Sequence, residues 1–163
     1  GEGHLTFPLI TEGLLTEQRT ITTPEEWRPD RVEFIVADAL ALPFPEKVFS
    51  FMGSLNLIDK VSRPLQHLRE MNRVAREKDS LFLFTDPFSW SLESAAVEDW
   101  LGGKREGRYA GPGIGNVRRI LEGEDGILYP AWQVREQGSV SWMIRNHRNH
   151  CELIRSEFLL AAR

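Results

Sequence analysis

The chain predicts an α/β fold built around a parallel sheet, and three observations carry that prediction. Val32–Ala37, Val48–Leu55 and Ser80–Thr85 are short runs rich in Val, Ile, Leu and Phe, each of strand length. Between the second and third, Leu65, Leu68, Met71, Asn72 and Ala75 recur at helical spacing. Each run leads into a polar or acidic loop: Asp38–Phe44 (DALALPF), Ser54–Val61 (SLNLIDKV) and Asp86–Trp90 (DPFSW). Strands alternating with a helix are the pattern of βα units.

The elements follow in order. Residues 1–31 are polar, hold Thr20, Thr22 and Thr23 and two Pro-bounded pieces, and read as an irregular, extended or hairpin-like lead-in. Val32–Ala37 is dense enough in apolar residues for a buried strand, and Asp38 ends it. Pro43 and Pro45 fix the backbone of the loop that follows. Val48–Leu55 is the second strand. Ser62 is the expected helix cap, with Pro64 tolerated in the first turn. Arg69, Arg73 and Arg76 fall on the outer side of that helix. Ser94–Leu101 has helical character and stops at Gly102–Gly103. Gly107–Gly115 holds four glycines and one proline and reads as a mobile loop. Asn116 is the expected cap of a short helix, Val117–Glu122. Ile127–Val134 and Phe158–Ala162 are apolar enough for two further strands, closing the sheet as an antiparallel pair.

Composition bounds the function. At 163 residues, 41% hydrophobic and 27% charged, residues 1–163 read as one globular domain. A net charge of -4 argues against a protein that tracks nucleic-acid phosphates. The basic clusters Arg118–Arg119 and Arg145–Arg148 read as solvated surface. Cys151 is the single cysteine, so no intrachain disulfide forms and a reducing, cytoplasmic setting is expected. No apolar run approaches the ~20 residues of a membrane span, and no signal peptide is visible. His147, His150 and Cys151 lack the second ligand pair of a structural zinc site, so no metal is expected. Gly111, Gly113 and Gly115 follow no strand and are not a dinucleotide fingerprint.

Ligands bind at the carboxyl ends of strands in open α/β sheets. Asn56, Leu57 and Asp59 follow the second strand, and Asp86, Phe88 and Trp90 the third. An aromatic pair beside a carboxylate lines a small-molecule pocket well. Plainer readings stand beside these: Asp38 and the 54–61 loop as turn caps, and Phe88 and Trp90 as core.

The stretch Val32–Trp90 resembles the second half of the cofactor-binding fold in class I S-adenosylmethionine-dependent methyltransferases. Trp100–Gly103 (WLGG) and Trp142–Arg145 (WMIR), with NLID and DPFSW, narrow the resemblance. In that order they are similar to the 4-mercaptohistidine N-methyltransferase domain of ovothiol biosynthesis. The resemblance implies a truncated Rossmann-like sheet of about five strands with flanking helices. It implies S-adenosylmethionine as cofactor and methyl transfer to a small, amino-acid-derived acceptor. Asp38 would accept from the adenine amino group and the Ala39 N–H would meet the ring. Asn56 and Leu57 would border the cofactor. Asp59, Asp86, Trp90 and Arg145 would contact the acceptor, with Arg145 either clasping a carboxylate or making an ordinary surface ion pair. The resemblance assigns no general base.

The chain departs from the family upstream. The glycine-rich turn after the family's first strand and the ribose-binding acid after its second have no counterpart, as though the first βαβ unit were missing. In the family order 3-2-1-4-5-7-6, that loss uncovers a strand edge and apolar surface. A homodimer, or a complementing chain, is the expected partner. The competing functions are a non-catalytic remnant or interaction module, and a fragment of a longer enzyme.

Overall fold

Burial alternates with a period of two along Leu81–Asp86, where Phe82, Phe84 and Asp86 are buried, and this strand is an inner member of the sheet. The computed structural model describes residues 3–24, 26–27 and 29–163; Gly1, Glu2, Glu25 and Arg28 of the expected lead-in lie outside the described residues. In chain order the strands are β1 (His4–Glu12), β2 (Leu15–Thr22), β3 (Phe51–Leu55), β4 (Leu81–Asp86), β5 (Gln133–His147) and β6 (His150–Ala162). The helices are α1 (Pro64–Val74) and α2 (Gly113–Leu121). The chain divides into two units: Gly1–Val36 with Trp142–Ile154, and Ala37–Ser141 with Arg155–Arg163.

In the first unit the lead-in forms a hairpin. β1 and β2 pair antiparallel from His4↔Thr22 to Glu12↔Leu15, turning at Gly13 with φ of 53°. Thr6 and Thr20 face each other with their hydroxyls 2.8 Å apart.

The fold is α/β, with a four-stranded mixed sheet in the order β3-β4-β6-β5 and the separate pair β1-β2. β3 and β4 run parallel, Phe51 opposite Leu81. β6 lies antiparallel to β4, Leu81 opposite Ala162 and Asp86 opposite Glu157. One face of the sheet carries the core: Met52, Phe82, Phe84, Leu159 and Ala161 meet Leu68, Met71 and Val74 of α1 and Ile114, Val117, Ile120 and Leu121 of α2. Phe51, Leu55 and Leu81 point the other way and are exposed. Among the described residues β3 is an edge strand with no neighbour on its outer side. No helix among them is long and apolar enough to cross a membrane.

Several expected elements need correction. Val32–Ala37 forms no strand among the described residues; Phe34 is 93% exposed and Val36 fully so. Its β-branched residues suit a strand, yet a strand takes its hydrogen bonds from a neighbour, and local composition supplies none. Ser62 does not cap α1. The N–H groups of Gln66 and His67 bond the Arg63 carbonyl, and the helix opens on Pro64. Ser94–Leu101 yields only one 3-10 turn, Val97–Asp99, because Trp100 swings back to give its indole N–H to the Ala95 carbonyl. α2 opens at Gly113 rather than after Asn116, which lies inside it and donates to the Tyr109 and Ala110 carbonyls. Residues 127–132 stay irregular because the Trp132 amide bonds the Leu121 carbonyl at the end of α2.

Asn72 closes the far end of the core. Its Oδ1 accepts from Trp132 Nε1 at 2.8 Å and from Arg163 Nη1 at 2.7 Å, and its Nδ2 donates to the Tyr129 carbonyl. Arg163 in turn lies over the Trp132 ring, 4.2 Å from its centre. Replacing Asn72 by Ala orphans a buried indole N–H. The expected loss is about 2 kcal/mol in urea unfolding, with the slope unchanged.

Candidate functional site

At the carboxyl ends of β3 and β4, buried polar groups join the two strands beside the apolar core. After β3 the chain turns through Asn56, whose φ is 54°, a conformation Asn tolerates better than most residues. The Asn56 amide donates to the Thr85 carbonyl at 2.8 Å. Its side-chain Oδ1 accepts from the hydroxyls of Thr85 (3.1 Å) and Ser156 (2.7 Å). Asn56 therefore joins β3, β4 and β6 at one level.

Asp86, the last residue of β4, is fully buried. Its Oδ2 accepts from the Ile58 amide at 3.0 Å and its Oδ1 from the Phe88 amide at 2.7 Å. Phe88 sits at φ of 54°, where a bulky residue is strained. The bond to Asp86 helps hold it there. Asp59 is 1% exposed, and its Oδ2 accepts from the Ser89 amide at 2.8 Å. The Lys60 ammonium lies 3.4 Å from that same oxygen. The other oxygen, Asp59 Oδ1, is buried with no hydrogen-bond partner among the described residues, and so is Trp90 Nε1. Burial, and then the Asp59 carboxylate, push the Asp86 carboxyl up to about 7.

An aromatic wall flanks these carboxyls. Phe84, Phe88, Trp90 and Trp100 follow one another at ring spacings of 6.1 Å, and Trp90 stacks on Trp100 at 15°. Glycine is required where α2 meets this wall. A Cβ on Gly113 would stand 2.3 Å from the Phe88 ring, and one on Gly102 would stand 2.3 Å from the Gly113 Cα. The segments WLGG and DPFSW thus form one structure.

On the β3 side, Asp38 is exposed, and its Oδ1 accepts from the Leu40 amide at 2.8 Å. Ala39 is tied to the sheet through a histidine. A carbonyl only accepts, so His67 Nδ1 donates to the Ala39 carbonyl (3.0 Å), and Nε2 faces the Ser54 hydroxyl on β3 (2.8 Å). Burial lowers the His67 pKa, so the ring is neutral near pH 7 and accepts from Ser54.

The second unit thus brings together Asn56, Asp59, Asp86 and Trp90 and links Asp38–Ala39 to β3. Leu57 is half-buried in the same turn. Arg145 lies exposed on β5 in the first unit. Sequence reasoning missed His67, Glu70 and Arg73, whose side chains hold the 38–44 loop, because it placed Arg73 on the outer face of α1. The available signal was three polar residues at helical spacing, 67, 70 and 73, beside the apolar stripe.

Residues 10–83 match the family described as methyltransferase domain. The match takes in Asp38, Ala39, Asn56, Leu57 and Asp59 and stops short of Asp86, Trp90 and Arg145. One similar solved structure is described as "Conversion of a Disulfide Bond into a Thioacetal Group during Echinomycin Biosynthesis". It is 15% identical with a TM-score of 0.51 and aligns over 80% of this chain and 55% of its own. This chain thus spans little more than half that structure's length. The YcgJ protein from Bacillus subtilis aligns at 11% identity and a TM-score of 0.40, over 78% of this chain and 69% of its own. No curated protein matches. By this match residues 10–83 are methyltransferase-like, and the fold is consistent with a truncated methyltransferase sheet.

The raised Asp86 carboxyl has a stability signature. In the unfolded chain an aspartate titrates near its ordinary value of 3.8, while folded Asp86 holds its proton to about 7. Its contribution is complete below the unfolded value and is lost as pH rises through the folded one. Between about pH 4 and 7 the stability of Asp86→Asn should therefore fall less than that of the native chain. Urea titrations across this range measure it, and equal slopes for both proteins would refute the burial argument.

Proposed function

We propose that this chain is a methyltransferase-like protein that uses S-adenosylmethionine to methylate a small, amino-acid-derived acceptor. One observation carries the reading. Among the described residues Asp59 Oδ1 is buried without a partner, next in the chain to the turn at the carboxyl end of β3, and its carboxylate is bonded to the segment that leads to Trp90. A buried carboxylate oxygen costs free energy until something donates to it. An acceptor's ammonium or amide would do so, with the aromatic wall covering its apolar part. The methyltransferase-domain match over residues 10–83 and the position at the ends of parallel strands support the same reading.

The residues present fit the adenine end of the cofactor. Asp38 presents an exposed carboxylate, and the Ala39 amide follows it directly. Asn56 and Leu57 would border the cofactor from β3. When bound, the cofactor supplies the electrophilic methyl group. The protein's own part is to hold the acceptor in line and keep water out. Asp59 and Trp90 would orient the acceptor. Asp86 spends both oxygens on backbone N–H groups, so its share is to fix the turns that carry Asp59 and Trp90.

One observation favours a second reading. Asp59 and Asp86 are 1% and 0% exposed, as suits anchors in a non-catalytic module of the same fold. Calorimetric titration with S-adenosylhomocysteine separates the two. The catalytic reading expects saturable binding that Asp38→Ala weakens about tenfold, the worth of one hydrogen bond to a carboxylate. No heat at millimolar ligand sinks it.

The open edge of β3 and Val32–Ala37, which forms no strand among the described residues, also support self-association, since two copies offer each other an edge and a strand-forming segment. Sedimentation velocity at micromolar concentration should give a dimer; a single monomer boundary counts against it.

A further inference from the structure

Leu42 and Phe44 of the loop that follows Ala37 pack against the core, and helix α1 adds a set of polar contacts to the loop's backbone. His67 Nδ1 donates to the Ala39 carbonyl, and Gln66 Nε2 lies 3.5 Å from the Leu40 carbonyl. Leu42 is gripped at both ends: its amide donates to Glu70 Oε2 at 2.9 Å, and its carbonyl accepts from Arg73 Nη2 at 3.0 Å. Arg73 Nη1 reaches on to the Phe44 carbonyl at 2.9 Å. Glu70 and Arg73 also bond each other twice, Nε to Oε1 at 3.0 Å and Nη2 to Oε2 at 2.8 Å. Arg73 lies against Glu70 and holds its carboxyl below the usual glutamate range, so the pair is charged at neutral pH.

A helix face that only had to cover a core would carry apolar residues here. Glu70 is 8% exposed, and burying a carboxylate requires a partner. The paired, planar guanidinium and the carboxylate together present a donor and an acceptor to the three backbone groups of the loop that face them. Such a grip fixes conformation without reading the side chains of the loop. Asp38 and Ala39 stand directly upstream of it, their turn closed by the Leu40 amide on Asp38 Oδ1 and the Ala41 amide on the Asp38 carbonyl.

We propose that Glu70 and Arg73 are positioning residues that hold the 38–44 loop ready for ligand before the ligand arrives. The proposal rests on the reading of Asp38 and Ala39 as the adenine contacts. If the loop without its grip is ordered one-tenth of the time, the apparent Kd rises about tenfold.

The test compares the native chain with Arg73→Met, Arg73→Lys, Glu70→Gln and the control Arg69→Met. Each is titrated with S-adenosylhomocysteine at a temperature where circular dichroism shows it fully folded. Amide exchange of Leu42 is followed in the ligand-free proteins. Arg73→Met should raise Kd about tenfold and speed Leu42 exchange, while Arg73→Lys, which keeps charge and one bond, recovers part of both. Arg69→Met should match the native chain. If Arg73→Met fails to fold, Glu70→Gln, which keeps an acceptor but loses the charged pair, carries the same expectation. Native affinity in a folded Arg73→Met or Glu70→Gln overturns the proposal and leaves the cofactor reading intact. A merely structural role would lower the unfolding temperature and leave Kd unchanged. Absence of binding by the native chain overturns the cofactor reading, and this proposal with it.

Discussion

The buried carboxylate of Asp86 is the constraint on which the rest of the site depends. Two amides, from Ile58 after β3 and from Phe88 after β4, converge on its two oxygens. Neighbouring parallel strands end side by side, and their outgoing turns leave amides with no strand partner. A single short side chain satisfies one amide from each turn. Once both turns are pinned to Asp86, the paths toward Asp59 and toward Trp90 are set. Asp59 then reaches across to the Ser89 amide, so each turn is bonded to the other's carboxylate. The electrostatic result is a carboxyl that keeps its proton toward neutral pH, because burial, and then the neighbouring Asp59 carboxylate, disfavour its ionised form.

The aromatic wall is built on that frame. Phe88 adopts a backbone conformation costly for its size, and the Asp86 oxygen it bonds compensates. The helical start at Gly113 comes up against its ring because neither Gly113 nor Gly102 carries a Cβ. Trp100 then completes the row by stacking on Trp90. A polar knot at the strand ends and close glycine contacts thus hold the aromatic row in place against the core.

Helix α1 serves two faces at once. Leu68, Met71 and Val74 pack into the core, while His67, Glu70 and Arg73 hold the loop that starts at Asp38. That division explains which parts of the site were legible in the sequence. The apolar stripe, the strand runs Val48–Leu55 and Ser80–Thr85, and the acidic loops behind them stand out by period and composition. The grip of Glu70 and Arg73 does not, because an arginine beside a helix stripe looks the same whether it meets water or a backbone carbonyl. The WLGG segment was legible as a motif. Its role as the seat of Trp90 and Gly113 was not, since those contacts join residues about ten or more positions apart on either side, beyond any helical or strand period.

The sequence by itself determined an α/β chain with one amphipathic helix between two apolar strands and carboxylates at the strand ends. These are local properties, written in spacing and side-chain type. The tertiary structure alone decided that Val32–Ala37 forms no strand among the described residues, that Asn116 lies inside its helix, and that Asp86 anchors turns. It also decided that Asp59 keeps one oxygen without a donor among those residues. Each of these depends on where a hydrogen-bond partner from a distant part of the chain arrives, and no local pattern records that.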